Sequence, residues 1–303
     1  MKNNKSVLHH SNVAIAFVLA GLWAAVLVAN GMVQVYSWTL LILVIPVIGL
    51  IYFLLSIAVV SVSALKRRGI RKDALFSILL GIAMITPFTI TMGLTDVVYP
   101  ASHDASSALI IPSPFKEDVL VAWGGDSARD NRAHVIWPSE RYAYDLVMEP
   151  YDTGAESLED YGIFGLETFS PVAGTVVASH DGEPDIPPNT ESFTSLAGNH
   201  VYIRVESTGT YLLFAHFQNG TVGVSVGDEV GVGDYLGRIG NSGTTSEPHL
   251  HIQHQRQDPT KTIHHILAEG LPLLWIVNIE PDDNLDPITL TKGDILPRNQ
   301  NFI

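Results

Sequence analysis

The chain has 303 residues, no cysteine and a formal net charge of −14. Without cysteine it can form neither a disulfide framework nor a thiolate metal site, so any metal must be bound by His and carboxylate side chains. Residues 1–95 contain seven Lys/Arg and one Asp, whereas the remainder contains ten Lys/Arg and thirty Asp/Glu. A region that acidic is repelled by nucleic-acid phosphates, which excludes DNA and RNA as partners.

Three apolar segments, about 13–29, 38–62 and 74–93, contain no charged residue. Each is close to the ~20 residues that cross a bilayer, so residues 1–95 are predicted to form an integral three-helix transmembrane region. Basic residues near the amino terminus and between the second and third segments are expected in the cytoplasm, which places everything after residue 95 outside. A cleaved signal peptide ending near Ala29 is the alternative for the first segment, and it leaves the acidic region outside as well.

Residues 96–118 are predicted to be a linker, and residues 119–303 an all-β domain with a C-terminal extension from about residue 256. Short alternating runs separated by turn residues are typical of an antiparallel β-sandwich or barrel. The predicted strands are Val119–Trp123, Ala133–Trp137, Tyr142–Met148, Gly174–Ser179, His200–Glu206, Thr210–His216, Glu229–Val232, Tyr235–Ile239 and His249–Gln253.

The last of these strands contains two histidines on one face. Residues i and i+2 of a strand point to the same side, so His249 and His251 are expected next to each other, and His254 is expected to face away. Neutral imidazole is a good zinc ligand, and a second imidazole nearby can move protons. The pair therefore indicates binding or catalysis.

A second pair follows from the predicted hairpin around Pro138. If its loop is symmetric, His134 and Asp145 lie directly opposite each other, with Cβ atoms about 4.5–5.5 Å apart. Two side chains at that distance can hold one ion. The alternative is a solvated His beside a surface Asp, which the apolar neighbours of both residues disfavour.

Three segments resemble the lysostaphin-like zinc metallopeptidases, which cleave peptide cross-links of bacterial peptidoglycan: Tyr211–Phe217, Val226–Gly243 and Pro248–His251. The resemblance extends over about residues 123–253. It implies that Asp145 and His251 bind zinc and that His216 and His249 are catalytic.

One position departs from the family's first motif, H-x-x-x-D, because Arg141 stands four residues before Asp145. A guanidinium has no lone pair with which to bind zinc. The hairpin geometry offers His134 as the replacement, and the segment resembles a divergent branch in which an upstream His accompanies the Arg. The predicted zinc site is therefore His134, Asp145 and His251, and Arg141 is left either to bind a substrate carboxylate or to form a structural ion pair.

These features predict a multi-pass membrane protein whose extracytoplasmic domain is a zinc metalloendopeptidase acting on peptidoglycan peptides. The main alternative is a catalytically inert relative that binds wall peptides or regulates another hydrolase, which the arginine favours. A third possibility is a peptidase that cleaves a different protein at the cell surface. Three helices are compatible with a partner inside the membrane, but no residue identifies one.

Overall fold

A computed structural model describes residues 2–67, 69, 71–99, 105–190, 192–264, 266–277 and 287–300. Residues 100–104 of the predicted linker lie outside the described residues, as do residues 265, 278–286 and 301–303 of the predicted C-terminal extension. The chain divides into two compact units, Met1–Ala101 and Ser102–Ile303.

The first unit is helical. Its helices are α1 (Lys2–Val28), α2 (Met32–Thr39), α3 (Ile45–Leu65), α4 (Lys72–Ile85) and α5 (Phe88–Thr91), and a π-helical turn joins α2 to α3. Three stretches are long and apolar enough to cross a membrane: Leu8–Val28, Met32–Leu65 and Lys72–Thr91. The prediction of three long apolar helices at the amino terminus is confirmed.

Asn12 is the buried polar residue that connects the three long helices. Its side chain is 1% exposed, and its Nδ2 donates to the Asp73 carbonyl at 2.9 Å. Its Oδ1 accepts hydrogen bonds from the Ser77 hydroxyl at 3.0 Å and from the Tyr52 hydroxyl. The amide thus joins α1 to α3 and α4, and each of its polar atoms has a partner.

Two glycines let α3 and α4 approach closely. A Cβ added at Gly49 would lie 2.5 Å from the Met84 Cβ, and one added at Gly81 would lie 2.9 Å from the Phe53 Cα. Small residues at a helix interface allow such backbone contact, which is typical of helices that pack in an apolar environment.

The second unit is β-rich, as predicted. Its strands are β1 (Leu109–Ile111), β2 (Val119–Trp123), β3 (Tyr144–Val147), β4 (Glu167–Phe169), β5 (Gly174–His180), β6 (Asn199–Val205), β7 (Tyr211–Phe217), β8 (Glu229–Val230), β9 (Tyr235–Arg238), β10 (Leu250–Gln255), β11 (Gly270–Leu271), β12 (Leu273–Trp275) and β13 (Ile295–Leu296).

One nine-stranded sheet forms the centre of this unit, in the order β13-β2-β3-β10-β7-β6-β5-β8, with β11 paired to the end of β10. All of its pairings are antiparallel. Two small sheets accompany it, β4-β9 and β1-β12. The β1-β12 pair is parallel, which differs from the all-antiparallel expectation.

Strand β10 is central, with β3 on one side and β7 on the other. Leu250 pairs with Leu146, and Ile252 pairs with Phe214; all four side chains are fully buried in one apolar core. Because side chains alternate along a strand, the residue between Leu250 and Ile252 projects from the other face of the sheet. That face carries the candidate site.

The predicted strand Ala133–Trp137 is wrong. The backbone N–H groups of His134, Trp137 and Glu140 each bond the carbonyl three residues earlier, so this segment is a series of turns. A strand has only two edges, and β2 and β10 occupy both edges of β3. No edge is left to which a hairpin partner could pair, and the long-range pairing replaces the local one.

Candidate metal centre

Strand pairing places Asp145 and His251 opposite each other. Asp145 lies on β3 and His251 on β10, and the two are Cα partners in the antiparallel register. On the other side of β10, His251 pairs with Ala215 of β7, immediately before His216. Three neighbouring strands therefore deliver an acid and two imidazoles to one face of the sheet.

His134 completes the cluster from the turn segment. Its Nε2 lies 3.3 Å from Asp145 Oδ2, and His251 Nδ1 lies 3.0 Å from Asp145 Oδ1. One ligand atom from each of the three residues lies within 4.8 Å of the others, and all three side chains are buried. The sequence predicts that a hairpin places His134 beside Asp145. In the structure the two are also neighbours, but His134 lies in a series of turns.

These separations are close to those between the ligand atoms of a small cation. Zinc binds His nitrogen and carboxylate oxygen at about 2.0–2.2 Å in tetrahedral sites, which sets neighbouring ligand atoms about 3.3–3.6 Å apart. The distance from His134 Nε2 to Asp145 Oδ2 is 3.3 Å, within this range, and the distance from His251 Nδ1 to Asp145 Oδ1 is 3.0 Å, just below it. Two imidazoles and one carboxylate are also a donor set found at catalytic zinc sites. The three residues fit zinc in chemistry and in spacing.

His216 reaches the cluster through a β-bulge. Between the pairs Asn199–Phe217 and Val201–Phe214, strand β7 contains one more residue than β6. His216 has φ of +67°, a conformation that costs free energy for residues other than glycine. Bulges re-aim side chains, and here the His216 ring centroid lies 4.7 Å from that of His249 and 5.9 Å from that of His251.

His249 stands just before β10 and is held by the loop that precedes it. Its Nδ1 donates to the Glu247 carbonyl at 2.7 Å, and its Nε2 lies 3.6 Å from Asp145 Oδ1. In the same way, His216 Nδ1 donates to the Ser242 carbonyl at 2.7 Å. Since a carbonyl oxygen can only accept, both rings carry a proton on Nδ1 and present Nε2 away from the backbone.

The electrostatics of the cluster favour a positive charge beside Asp145. Burial alone raises the pKa of its carboxyl, but the His134 and His249 imidazoles outweigh burial and hold the pKa well below the usual value. Burial lowers the pKa of His251, but its hydrogen bond to Asp145 prevails and raises the pKa. Burial, reinforced by repulsion from His249 and His251, holds the pKa of His216 well below normal. Asp145 is therefore ionised and His216 neutral at pH 7.

Arg141 is a packing residue. Its side chain is 1% exposed, its Nη2 donates to the Asp126 carbonyl at 3.0 Å, and its guanidinium stacks on the Tyr142 ring at 4.5 Å. A group so fully buried cannot reach a substrate carboxylate, which removes one of the two roles considered from the sequence. His254 is also buried, on the opposite face of β10 from His251, as expected.

Sequence reasoning missed two residues that contact the imidazoles from outside. His134 Nδ1 bonds Asn131 Oδ1 at 2.8 Å, and His251 Nε2 bonds Gln253 Oε1 at 3.1 Å. The i, i+2 rule that paired His249 with His251 also predicts Gln253 on the same face. Asn131 carries no such signal, because its contact depends on the turns that replace the expected strand.

A comparison with known protein families matches part of the chain. Residues 163–262 match the sequence pattern of Peptidase family M23. The matched segment lies within the second unit. The resemblance inferred from the sequence motifs is confirmed at that level. The M23 match includes His216, His249 and His251, whereas His134 and Asp145 lie before it.

Several solved structures are similar to part of this chain. A putative peptidase M23 from Pseudomonas aeruginosa is 18% identical, with a TM-score of 0.30, and the match covers 50% of this chain and 48% of that one. The catalytic domain of lysostaphin from Staphylococcus simulans is 19% identical, with a TM-score of 0.28, and the match covers 43% of this chain and 74% of that one. A zinc containing peptidase from Vibrio cholerae is 17% identical, with a TM-score of 0.29, and the match covers 48% of this chain and 37% of that one. The chain spans about half the length of the Pseudomonas aeruginosa protein. A search of curated proteins found no match.

Proposed function

We propose that this chain is a zinc metalloendopeptidase that hydrolyses peptide cross-links of bacterial peptidoglycan. The observation that carries the proposal is the buried group formed by His134, Asp145 and His251, whose ligand atoms lie within 4.8 Å of one another. His216 and His249 adjoin this group, and residues 163–262 match Peptidase family M23.

The residues divide into two sets by the atoms that they present. His134 Nε2, the Asp145 carboxylate and His251 Nδ1 face each other and would hold the zinc. When bound, zinc lowers the pKa of a water molecule to about 7 and polarises the scissile carbonyl. Asp145 contributes the negative charge that keeps a divalent cation in place.

His216 and His249 would move the proton and stabilise the developing charge. Each ring is fixed by an Nδ1–H bond to a backbone carbonyl, so each Nε2 is available to the reacting groups. Such a pair can accept the proton of the attacking water, pass it to the leaving amine and steady the tetrahedral oxyanion. The strained backbone at His216 is consistent with a side chain held in place for catalysis.

The helical unit would anchor the enzyme in the cell membrane. Its three long apolar helices and the basic residues between the second and third support a multi-pass protein with the second unit on the extracytoplasmic side, where peptidoglycan lies. The acidic composition of that unit argues against nucleic acid as its target.

An inert, wall-binding relative is the alternative that Arg141 first favoured. The packing of Arg141 and the position of His134 beside Asp145 support the enzyme over this alternative. No other feature of the described residues favours that alternative.

Digestion of purified sacculi tests the proposal. The full-length protein, purified in detergent and supplied with zinc, should release peptide fragments with new free amino groups. Chelation of zinc or Asp145→Asn should stop the release, and Glu206→Gln, which alters an exposed carboxylate of the same unit, should not. Binding of sacculi without cleavage would support the inert alternative, and cleavage of an added surface protein in place of sacculi would show that the substrate class is wrong.

A further inference from the structure

The outward-facing nitrogens of the two candidate ligand imidazoles meet side-chain amides. An imidazole binds a cation only through a ring nitrogen that carries no proton, and the partner of the other nitrogen decides which one that is. The question for His134 and His251 is therefore whether Asn131 and Gln253 present an oxygen or an NH₂ group. The backbone carbonyls that the amides contact decide this, because a carbonyl accepts a hydrogen bond only from the NH₂ group.

Asn131 can be oriented in only one way. Its side chain is fully buried, and one end of its amide lies 3.1 Å from the Gly125 carbonyl oxygen and 3.0 Å from the Ala143 carbonyl oxygen. Both carbonyls only accept hydrogen bonds, so that end must be the NH₂ group, Nδ2. Oδ1 is then the atom 2.8 Å from His134 Nδ1, which must donate to it. The lone pair of His134 is left on Nε2, the nitrogen that faces Asp145.

A longer chain of amides orients His251 by the same logic. Gln255 lies 2.7 Å from the Gln257 backbone carbonyl, which can only accept, so Gln255 turns its NH₂ group to that carbonyl and its oxygen to Gln253. Gln253 then donates Nε2 to that oxygen at 3.0 Å and turns its own oxygen to His251 Nε2 at 3.1 Å. His251 must donate from Nε2. Its Nδ1, which donates to Asp145 at 3.0 Å in this structure, is therefore the nitrogen whose lone pair becomes available when a cation displaces that proton.

We propose that Asn131, Gln253 and Gln255 are positioning residues that fix the tautomers of His134 and His251 and direct their lone pairs to the metal. The inference rests on the proposed function, since it concerns the same site. It also separates the two pairs of histidines. Side-chain amides orient the two candidate ligands, whereas backbone carbonyls orient His216 and His249.

The three glutamines allow a matched test, because they alternate along one run of chain. Gln253→Met removes the acceptor for His251 with little change in volume. Gln255→Met keeps that acceptor but releases Gln253 from its anchor. Gln257→Met is the control, since it alters an amide of the same type and leaves the backbone carbonyl of the chain in place.

The measurement is the zinc dissociation constant of the full-length protein in detergent, obtained by competition with a chromophoric chelator. We expect Gln253→Met to weaken zinc binding about 10–100-fold, Gln255→Met to weaken it less, and Gln257→Met to match the wild type. NMR of the zinc-loaded, ¹⁵N-His-labelled protein should show the His251 proton on Nε2, exchanging slowly in the wild type and faster in Gln253→Met. A purely structural role would not move that ring proton.

The outcomes separate the two proposals. If the wild type binds zinc and Gln253→Met binds it equally well, the positioning role is wrong and the metal site stands. If the wild type binds no zinc, the site itself is wrong and both fail. Should Gln253→Met not fold in the presence of chelator, Gln255→Met, which keeps the acceptor in place, decides the matter through the same two readouts.

Discussion

The helical unit and the β unit both bury polar side chains, but they use them differently. In the helical unit, Asn12 bonds Asp73, Ser77 and Tyr52, and the contacts end there. In the β unit, the buried amides end on imidazoles whose inner nitrogens face a carboxylate.

The two regions differ in whether any hydrogen-bonding atom is left to bind a further group. A hydrogen-bond network in which every group has a partner contributes to the packing of helices. A network that leaves several lone pairs converging on one point can bind something else. The first arrangement holds a structure together, and the second prepares a site. Changes in each region should therefore have separable effects.

The largest expected effect on turnover comes from changing His216, one of the two imidazoles outside the metal group. His216→Asn, chosen because Asn tolerates a positive φ, should lower kcat about 10²–10⁴-fold, since it removes a group that moves protons. Zinc content should stay unchanged, because His216 is not one of the three ligands. Turnover of a cross-linked wall peptide and metal analysis of the same preparation would check this. Full activity in His216→Asn would contradict the proposal that the bulge aims His216 at the reacting groups.

A smaller effect is expected at His254, a buried imidazole whose two nitrogens both have partners. Nε2 contacts the Thr210 hydroxyl at 2.7 Å and Nδ1 contacts the Pro272 carbonyl at 3.1 Å. Burial, with Arg256 adding to it, lowers the pKa of His254 to about 4.

The sign of its pH effect follows from that lowered pKa. The unfolded state, with a pKa near 6.5, takes up the proton first, so stability is lost as pH falls from about 6.5 to about 4, by up to about 3 kcal/mol. Thermal unfolding of the full-length protein between pH 7.5 and 4 should show a steeper fall in Tm for the wild type than for His254→Gln. Parallel curves for the two proteins would contradict this assignment.

The smallest effect is expected in the helical unit. Asn12→Leu removes the interhelical hydrogen bonds and should lower stability by about 1 kcal/mol, with no change in zinc affinity or turnover. A shift of the Tm of the helical signal, measured beside the zinc dissociation constant, would check both parts. Loss of zinc binding in Asn12→Leu would break the separation between the two units.

The sequence predicts features that depend on nearby residues. Hydropathy alone indicates three long apolar helices, because an uncharged run of about 20 residues needs no distant partner to be recognised. Alternation predicts that His251 and His254 lie on opposite faces of one strand, and both lie in β10, whereas His249 stands just before it. These inferences use spacing within one element, and the structure agrees with them.

Features that depend on distant residues were predicted poorly. The hairpin that set His134 opposite Asp145 does not form, because β2 and β10 take both edges of β3. The two side chains still meet, through turns anchored by Asn131. No local pattern indicates which strands will flank β3, so the contact of Asn131 with His134 could not be predicted. Gln253, by contrast, follows from the alternation that places it on the same face as His251.

Zinc content of the purified full-length protein tests the central claim most directly. After saturation with zinc and removal of free metal, the wild type should retain one zinc per chain, and Asp145→Asn should retain essentially none. Glu206→Gln should match the wild type. Absence of stoichiometric zinc from the wild type, or equal zinc in Asp145→Asn, would contradict the claim that His134, Asp145 and His251 form a metal site.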